Sequence, residues 1–137
     1  MSINNFSTDL FTFSVNGRDI TDWGENATPY NDDPIDPRAT LRRGQGGNAT
    51  LLNRINPGRR VTISLNPGSP DSAFMQGLLN SGAVISCGKT QIGTLEGAVG
   101  TEGAIVNDST VGRAGSTITD DVYIMEFNVW SATKGGE

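Results

Sequence analysis

The most informative absence in this sequence is histidine, of which there is none. Without an imidazole, serine–histidine and cysteine–histidine catalytic pairs cannot form, and most transition-metal sites lose their usual nitrogen ligand. There is one cysteine, Cys87, so no intrachain disulfide can form, and we expect a buried, inert thiol in a strand. These absences argue against the common enzyme classes, and we expect neither a metal nor a cofactor.

Two further enzyme signals are weak. The glycines of residues 44–48 are not followed by Lys-Ser or Lys-Thr, so they do not form a phosphate-binding loop. Glu96 and Glu102 leave a two-carboxylate glycosidase open. However, the chain has only two tryptophans and no long loop that would form a sugar groove. We therefore expect a protein that is not an enzyme.

Long apolar stretches are also missing. No run of about 18 apolar residues occurs, so no membrane-spanning helix is expected. Residues 1–13 have no basic start and no continuous apolar run, so we expect no export signal and maturation in a reducing cytoplasm. Glycine, by contrast, occurs 18 times, and hydrophobic residues make up 35% of the 137 residues. This balance indicates one domain, residues 1–137, built from short strands and turns.

Alternating apolar residues predict about six to seven strands. The first, Phe11–Val15, precedes Asn16-Gly17, which is a strong signal for a two-residue hairpin turn. Residues 61–65, VTISL, place their apolar side chains on one face, and residues 117–132 form the longest candidate strand. Together these patterns indicate a mainly β fold, an antiparallel barrel or sandwich.

A polar, proline-marked stretch, NATPYNDDPIDP, occupies residues 26–37. It predicts extended chain with turns. Its acidic residues Asp32, Asp33 and Asp36 lack the spacing of a calcium-binding EF-hand loop. We expect them to lie in a solvated turn.

One helix is predicted over residues 70–81. Ser69 suits the N-cap, Pro70 suits the first helical position, and Gly82 suits a left-handed C-terminal cap. Four apolar residues recur at helical spacing and are expected to pack on the core: Phe74, Met75, Leu78 and Leu79. The helix is therefore predicted to flank the strands.

Charge is strongly segregated along the chain. Residues 1–37 hold one arginine against seven acidic residues, net −6, and residues 61–137 hold three cations against eight acids, net −5. Residues 38–60 hold six arginines and no acid. This window is either a solvated basic loop or a patch that meets an acidic surface on another copy or on nucleic acid. It contains no aromatic residue for base stacking, and the acidic remainder would repel phosphate, which argues against a nucleic-acid grip.

The stretch TLEGAVGTEGAIV, residues 94–106, alternates as a strand. We expect Leu95, Val99 and Ile105 on one face, with Glu96, Glu102 and small residues on the other. That small, acidic face is either the solvated side of a monomeric sheet or a wall that repels anions.

A run of motifs resembles the tail tube proteins of contractile bacteriophage tails. It comprises GQGGN at residues 44–48, Arg54, Gly58, VTISL at residues 61–65, and Ser69-Pro70 leading into the short apolar helix. The likeness covers residues 20–82. It weakens towards the C-terminus, where only the long strand and Gly135-Gly136 agree, and Ser72 stands where the family usually has asparagine.

The resemblance implies a structural virion protein, the major subunit of a tail tube. In that family two sheets pack around one helix, six subunits form a ring whose strands line a DNA-wide channel, and rings stack into a tube for genome ejection. The expected location is the virion tail, after assembly in the host cytoplasm. Expected partners are other copies of the chain and the sheath, baseplate or tube initiator, tail terminator and tape measure proteins. The type VI secretion tube protein has a similar fold, so a tailocin or type VI-like secretion tube is the alternative.

The resemblance also assigns provisional roles to residues. An extended inter-ring loop is expected at about residues 38–60. Its inter-subunit contacts are expected from Arg38, Arg42, Arg43, Arg54, Arg59 and Arg60. The channel wall, along which DNA slides without specific binding, is expected to include Thr62, Ser64, Glu96 and Glu102.

Overall fold

A computed structural model describes residues 10–135 of the chain, which contain nine strands and one helix. The predicted mainly β fold with a single helix is confirmed. The sequence interpretation of residues 1–9 and of Gly136 lies outside the described residues. The elements are β1 Phe11–Val15, β2 Arg18–Ile20, β3 Tyr30–Pro34, β4 Ala39–Arg43, β5 Ala49–Asn53, β6 Arg59–Leu65, α1 Pro70–Ser81, β7 Ile85–Gln91, β8 Glu96–Asp108 and β9 Asp121–Thr133.

Seven of the strands form one antiparallel sheet in the order β2-β1-β7-β8-β9-β6-β3, and β4 and β5 form a separate hairpin. The large sheet curls until its two ends meet. The ring of Tyr30 in β3 lies 5.1 Å from Phe11 and 5.0 Å from Phe13 in β1, measured between centroids. A bridge between Trp23 and Leu65 joins the chain after β2 to β6. The result is a rolled, barrel-like sheet around one core.

The core is built from the inward residues of this rolled sheet. The predicted face of β6 is confirmed, because Val61, Ile63 and Leu65 are buried. The odd-numbered β9 residues from Tyr123 to Phe127 are buried with them. Cys87 is also buried, and burial raises the pKa of its thiol to about 12, with the nearby Asp32 contributing less. The prediction of an inert thiol is therefore confirmed.

The first hairpin also forms as predicted. Asn16 and Gly17 both adopt positive φ, 50° and 84°, and β1 pairs with β2 from Phe13 opposite Ile20 to Val15 opposite Arg18. Two consecutive left-handed residues are the geometry of a type I′ turn, in which glycine has no Cβ to clash. The Asn16 side chain also accepts the amide of Ser86 at 3.0 Å, which ties this turn to β7.

The helix begins and ends at the predicted residues. The Ser69 hydroxyl accepts the amide of Ser72, and Gly82 adopts the left-handed conformation while its amide donates to the carbonyls of Leu78 and Leu79. Met75 is fully buried. Phe74 and the two leucines pack, partly buried, on the core. The helix therefore covers one side of the rolled sheet, and at this length it falls well short of the span that a bilayer needs.

Asp71 fixes the helix start to the β2 end of the sheet. Its buried carboxylate accepts the Arg18 guanidinium at 2.9 Å and the backbone amides of Thr21 and Asp22 at 2.8 and 3.0 Å. Burial alone would raise the pKa of Asp71, but these donors outweigh it and lower the pKa below the ordinary 3.8. The sequence indicated only a favourable first-turn acid here, whereas the structure shows a tertiary contact.

Two predictions about strands are wrong. Tyr30–Pro34 lies within the stretch predicted as turns, yet it pairs with β6 along its length. Val99 in β8 and Leu95 in the turn before it do not share a face with Ile105, since they are 55% and 80% exposed while Ile105 is buried. The phase of alternation changes at Glu102, which has a φ of 55° and lies at a register shift against β7. A bulge of this kind moves the following side chains to the other face.

Candidate functional site

The hairpin of β4 and β5 is the most unusual surface of the molecule. Residues 37–56 are all exposed, and the strands pair with each other from Ala39 opposite Asn53 to Arg43 opposite Ala49. No described strand outside the hairpin pairs with either of them. An isolated two-stranded hairpin is marginally stable in water, because it buries almost no apolar surface. Two strands thus flank the GQGG turn, and no other part of residues 10–135 covers the hairpin.

The register gives the hairpin two different faces. On one face Leu41 lies directly opposite Leu51, both 57% exposed, with Ala39 and Ala49 beside them. Residues directly opposite in an antiparallel pair share a face, so this surface is apolar at its centre, with Asn53 at one end and Arg43 at the other. The other face carries Thr40, Thr50 and Leu52 together with three arginines: Arg38, Arg42 and Arg54. We call these the apolar face and the arginine face of the hairpin.

The structure divides the six predicted contact arginines into two groups. Arg38, Arg42, Arg43 and Arg54 lie on the hairpin, and Arg54 approaches only Asp36, at 3.8 Å. The remaining two lie in β6 and make ion pairs within the subunit. That these two arginines contact other copies remains a prediction, because the same side chains already bind acidic partners in their own subunit.

Arg60 lies between two acidic side chains on neighbouring strands. Its guanidinium donates to Glu126 at 3.0 and 3.1 Å and lies 3.5 Å from Asp33. The side chains of Arg60, Asp33 and Glu126 are 39%, 58% and 33% exposed. Water therefore screens these ion pairs, which reduces their contribution to stability. This cluster lies on the face of β6 and β9 that points away from the core.

Asp32 is the centre of a largely buried ion network, contrary to the prediction of a solvated turn. Its carboxylate accepts Arg59 Nε at 2.8 Å, Lys89 Nζ at 2.9 Å and the Tyr30 hydroxyl at 2.8 Å. Desolvation alone would raise the pKa of Asp32, but Lys89, Arg59 and Tyr30 outweigh it and lower the pKa below 3.8. Burial, with the Asp32 charge, raises the pKa of Tyr30 well above its usual range. Lys89 comes from β7 and Asp32 from β3, so the network joins one end of the rolled sheet to a strand third from its other end.

The four predicted channel residues do not form one surface. Ser64 is only 4% exposed, with its backbone amide and carbonyl bound to Pro29 and Gly24, so the prediction that it lines a channel is wrong. Thr62 is half-buried. The Glu96 carboxylate lies 3.5 Å from Lys89 and 3.2 Å from Lys134, so much of its charge is neutralised. Glu102 is exposed and accepts the Asn128 amide at 3.1 Å; its place on a channel wall remains a prediction.

Comparison with solved structures gives a consistent result. A chain of the anti-feeding prophage cap, which terminates the tube, matches 98% of this chain and 95% of its own length with a TM-score of 0.67 and 10% identity. A chain of the sheath–tube complex of the extracellular contractile injection system PVC matches 95% of this chain and 92% of its own, with a TM-score of 0.62 and 12% identity. This is the tail tube fold.

A third solved structure shares the tail tube fold. Hcp1 from Flavobacterium johnsoniae matches 93% of this chain and 96% of its own length, with a TM-score of 0.54 and 16% identity. No protein-family model and no curated protein sequence matches the chain. At such low identities the likeness establishes the fold, while the role of this chain must be argued from its own surfaces.

Sequence reasoning missed three features of the structure. The apolar face of the hairpin was missed because arginines dominate the composition of residues 38–60, although ATLRR at residues 39–43 and ATLLN at residues 49–53 both alternate. The Asp32 network was missed because a polar stretch with three prolines does not predict a strand. The points at which β6 stops beside β9 and β7 stops beside β8 were missed because no local pattern indicates where a neighbouring strand ends.

Proposed function

We propose that this protein is a structural subunit of the tube of a phage tail or a related contractile injection system, and that hexameric rings of it stack to form that tube. The observation that carries the proposal is the β4–β5 hairpin, which is fully exposed and apolar on one face. The tail tube fold supports it, since the structural neighbours are parts of tubes, caps and baseplates.

Burial of the apolar face on another copy supplies a driving force for assembly. Leu41 and Leu51 are each a little over half exposed, so covering both contributes on the order of 2 kcal/mol per hairpin. Each ring contains six such contacts in the proposed hexamer, so the effect multiplies along the tube. A contact between a hairpin and a different surface of the next copy is heterologous, and a heterologous contact that does not close propagates without limit.

Charge favours the same arrangement. The hairpin carries four arginines, and the chain outside residues 38–60 carries a net charge of −11. An arginine face from one copy is therefore attracted to the acidic body of the next, and the attraction weakens with added salt. A tube so assembled carries DNA in its channel if it belongs to a phage, with sheath, baseplate, terminator and tape measure proteins as further partners.

A second role, that of a cap that terminates a tube, is favoured by the match to the anti-feeding prophage cap over nearly the full length of both chains. The two roles differ in how far the protein assembles. A tube subunit forms stacks of many rings, whereas a cap stops at a single ring.

The apolar face gives the sharpest test. We expect Leu41→Ser combined with Leu51→Ser to abolish stacked rings in negative-stain images, because the hairpin then has no apolar contact to make. The melting temperature of the dissociated subunit should change little, since neither leucine contributes to its core. A control is Val84→Ser, which removes an apolar side chain that is 77% exposed but lies next to the helix, away from the hairpin. Tubes of normal length from the double variant would rule out this role for the hairpin.

A further inference from the structure

Lys89 is unusual among the cations of this chain. Of the ten cationic side chains all but two are arginines, and the other lysine, Lys134, is 81% exposed. Lys89 is only 13% exposed. A guanidinium stays charged in any protein environment, whereas a buried lysine can lose its proton and become a nucleophilic amine. The buried position is therefore occupied by the kind of cation that can react.

Two carboxylates face the Lys89 amine. Its Nζ lies 2.9 Å from Oδ2 of Asp32 and 3.5 Å from Oε1 of Glu96, and these two side chains are 8% and 16% exposed. Aromatic surface lies beside the group, since the Tyr30 ring centroid is 5.2 Å from Nζ and Trp130 lines the same cleft. The arrangement holds a nucleophile, an electrophilic carboxyl group and a general base, which are the components that amide formation needs.

We propose that Lys89 and Asp32 become joined by an isopeptide bond, with Glu96 as the catalytic carboxylate that moves the protons. The bond forms within one subunit, after folding has brought β7 and β3 together, and it does not depend on the proposed function. Reacting groups held in contact behave as though their concentration were about 10⁵–10⁸ M. That proximity permits a condensation that free lysine and aspartate do not undergo in water.

The reaction starts from the ion pair and releases water. One proton passes from the Lys89 ammonium to Oδ2 of Asp32 along their hydrogen bond, which gives a neutral amine and a neutral acid. Nζ then bonds to Cγ of Asp32, Glu96 takes the surplus proton from Nζ and delivers it to Oδ2, and the Cγ–Oδ2 bond breaks. Of the three ammonium protons, one stays on the amide nitrogen and two leave in the water molecule, so atoms and charge balance.

The other partners of Asp32 favour this direction of attack. Arg59 Nε donates to Oδ1 at 2.8 Å, so the guanidinium stabilises the negative charge that develops on that oxygen. The Tyr30 hydroxyl donates at 2.8 Å to Oδ2, the oxygen that leaves. The same donors lower the pKa of Asp32, so the neutral acid is scarce and the bond forms slowly. Freshly folded protein therefore holds the ion pair, and stability measured on it reports these charges.

The bond makes the contact between β3 and β7 permanent. Asp32 and Lys89 are 57 positions apart in the chain, and a cross-link across a loop of that length restricts the unfolded state as a disulfide does. A chain with a single cysteine thereby gains a covalent link that needs no oxidant.

Intact-mass spectrometry of the denatured subunit, at intervals during incubation at neutral pH, tests the proposal. We expect a species lighter by one water molecule to accumulate in the parent and to be absent from Lys89→Arg, which keeps the positive charge. Glu96→Gln should slow its formation by about 100-fold, because the general base is lost. Proteolytic fragments of the lighter species should include one in which the Lys89 and Asp32 peptides are joined.

Lys134→Arg is the matched control, because Lys134 also contacts Glu96, at 3.2 Å, but is exposed. This variant should lose water as fast as the parent. A parent that keeps its full sequence mass throughout would overturn the proposal and leave an ion pair only. A lighter species in Lys89→Arg, or fragments that place the loss at other residues, would overturn it as well. Each of these results leaves the proposed function standing, since that function is tested by assembly.

Discussion

Replacing Gly103 with alanine is expected to destabilise the subunit by about 3 kcal/mol, at the upper end of what overpacking usually costs. A Cβ at this position would lie 2.2 Å from Cδ1 of Phe127 and 2.8 Å from the backbone oxygen of Glu126. Phe127 is buried in the core, and the carbonyl belongs to the strand paired with β8, so neither atom can move without disturbing the sheet. The measurement is chemical denaturation of the isolated subunit.

The control is Gly46→Ala in the turn of the hairpin. A Cβ there meets nothing within 4 Å, so the free energy of unfolding should stay within about 0.5 kcal/mol of the parent. Equal stability of the two variants would show that β8 and β9 are not packed as described.

Asp32→Ala is expected to cost about 3 kcal/mol of stability. Removing the carboxylate takes away the acidic partner that Arg59 and Lys89 share, and it leaves Lys89 with Glu96 at 3.5 Å. Breaking a largely buried ion pair by removing one partner is strongly destabilising. Because the pKa of Asp32 is lowered in the folded state, its contribution is present above the ordinary value of 3.8 and is lost as the pH falls below it. The difference between variant and parent should therefore shrink in acid, which denaturation at a series of pH values measures.

Asp33→Ala is the matched control for this network. Asp33 is the next residue, but its side chain is 58% exposed and only approaches Arg60, at 3.5 Å. Such a pair contributes little because water screens it, so this variant should remain close to the parent. If the two aspartate variants were equally stable, Asp32 would not join β3 to β7.

The sequence predicted those parts of the fold that depend on local patterns. The helix from Pro70 to Ser81, its two caps, the Asn16-Gly17 turn and the inward face of β6 follow from short-range rules, and the structure confirms them. The bulge at Glu102 was not predictable, because alternation in β8 is interrupted by a register shift that a neighbouring strand imposes. β3 was missed since it is held by pairing with β6 and by Asp32, not by apolar alternation.

The candidate site was predicted in outline and not in its chemistry. Charge segregation directed attention to residues 38–60, where the exposed hairpin lies. Sequence counting treated six arginines as one patch, whereas Arg59 and Arg60 are committed to partners in their own subunit. Ser64 was chosen as a polar outward residue of β6, but the chain from Gly24 to Pro29 occupies its surroundings. Long-range pairing decides both outcomes.

The central claim is that this chain functions by assembling with copies of itself. Negative-stain electron microscopy of the purified protein, with light scattering on the same sample, tests it most directly. The account predicts hollow tubes of stacked six-fold rings, which are lost when the apolar face of the hairpin is removed. A uniform 14.5 kDa species at high protein concentration would contradict it.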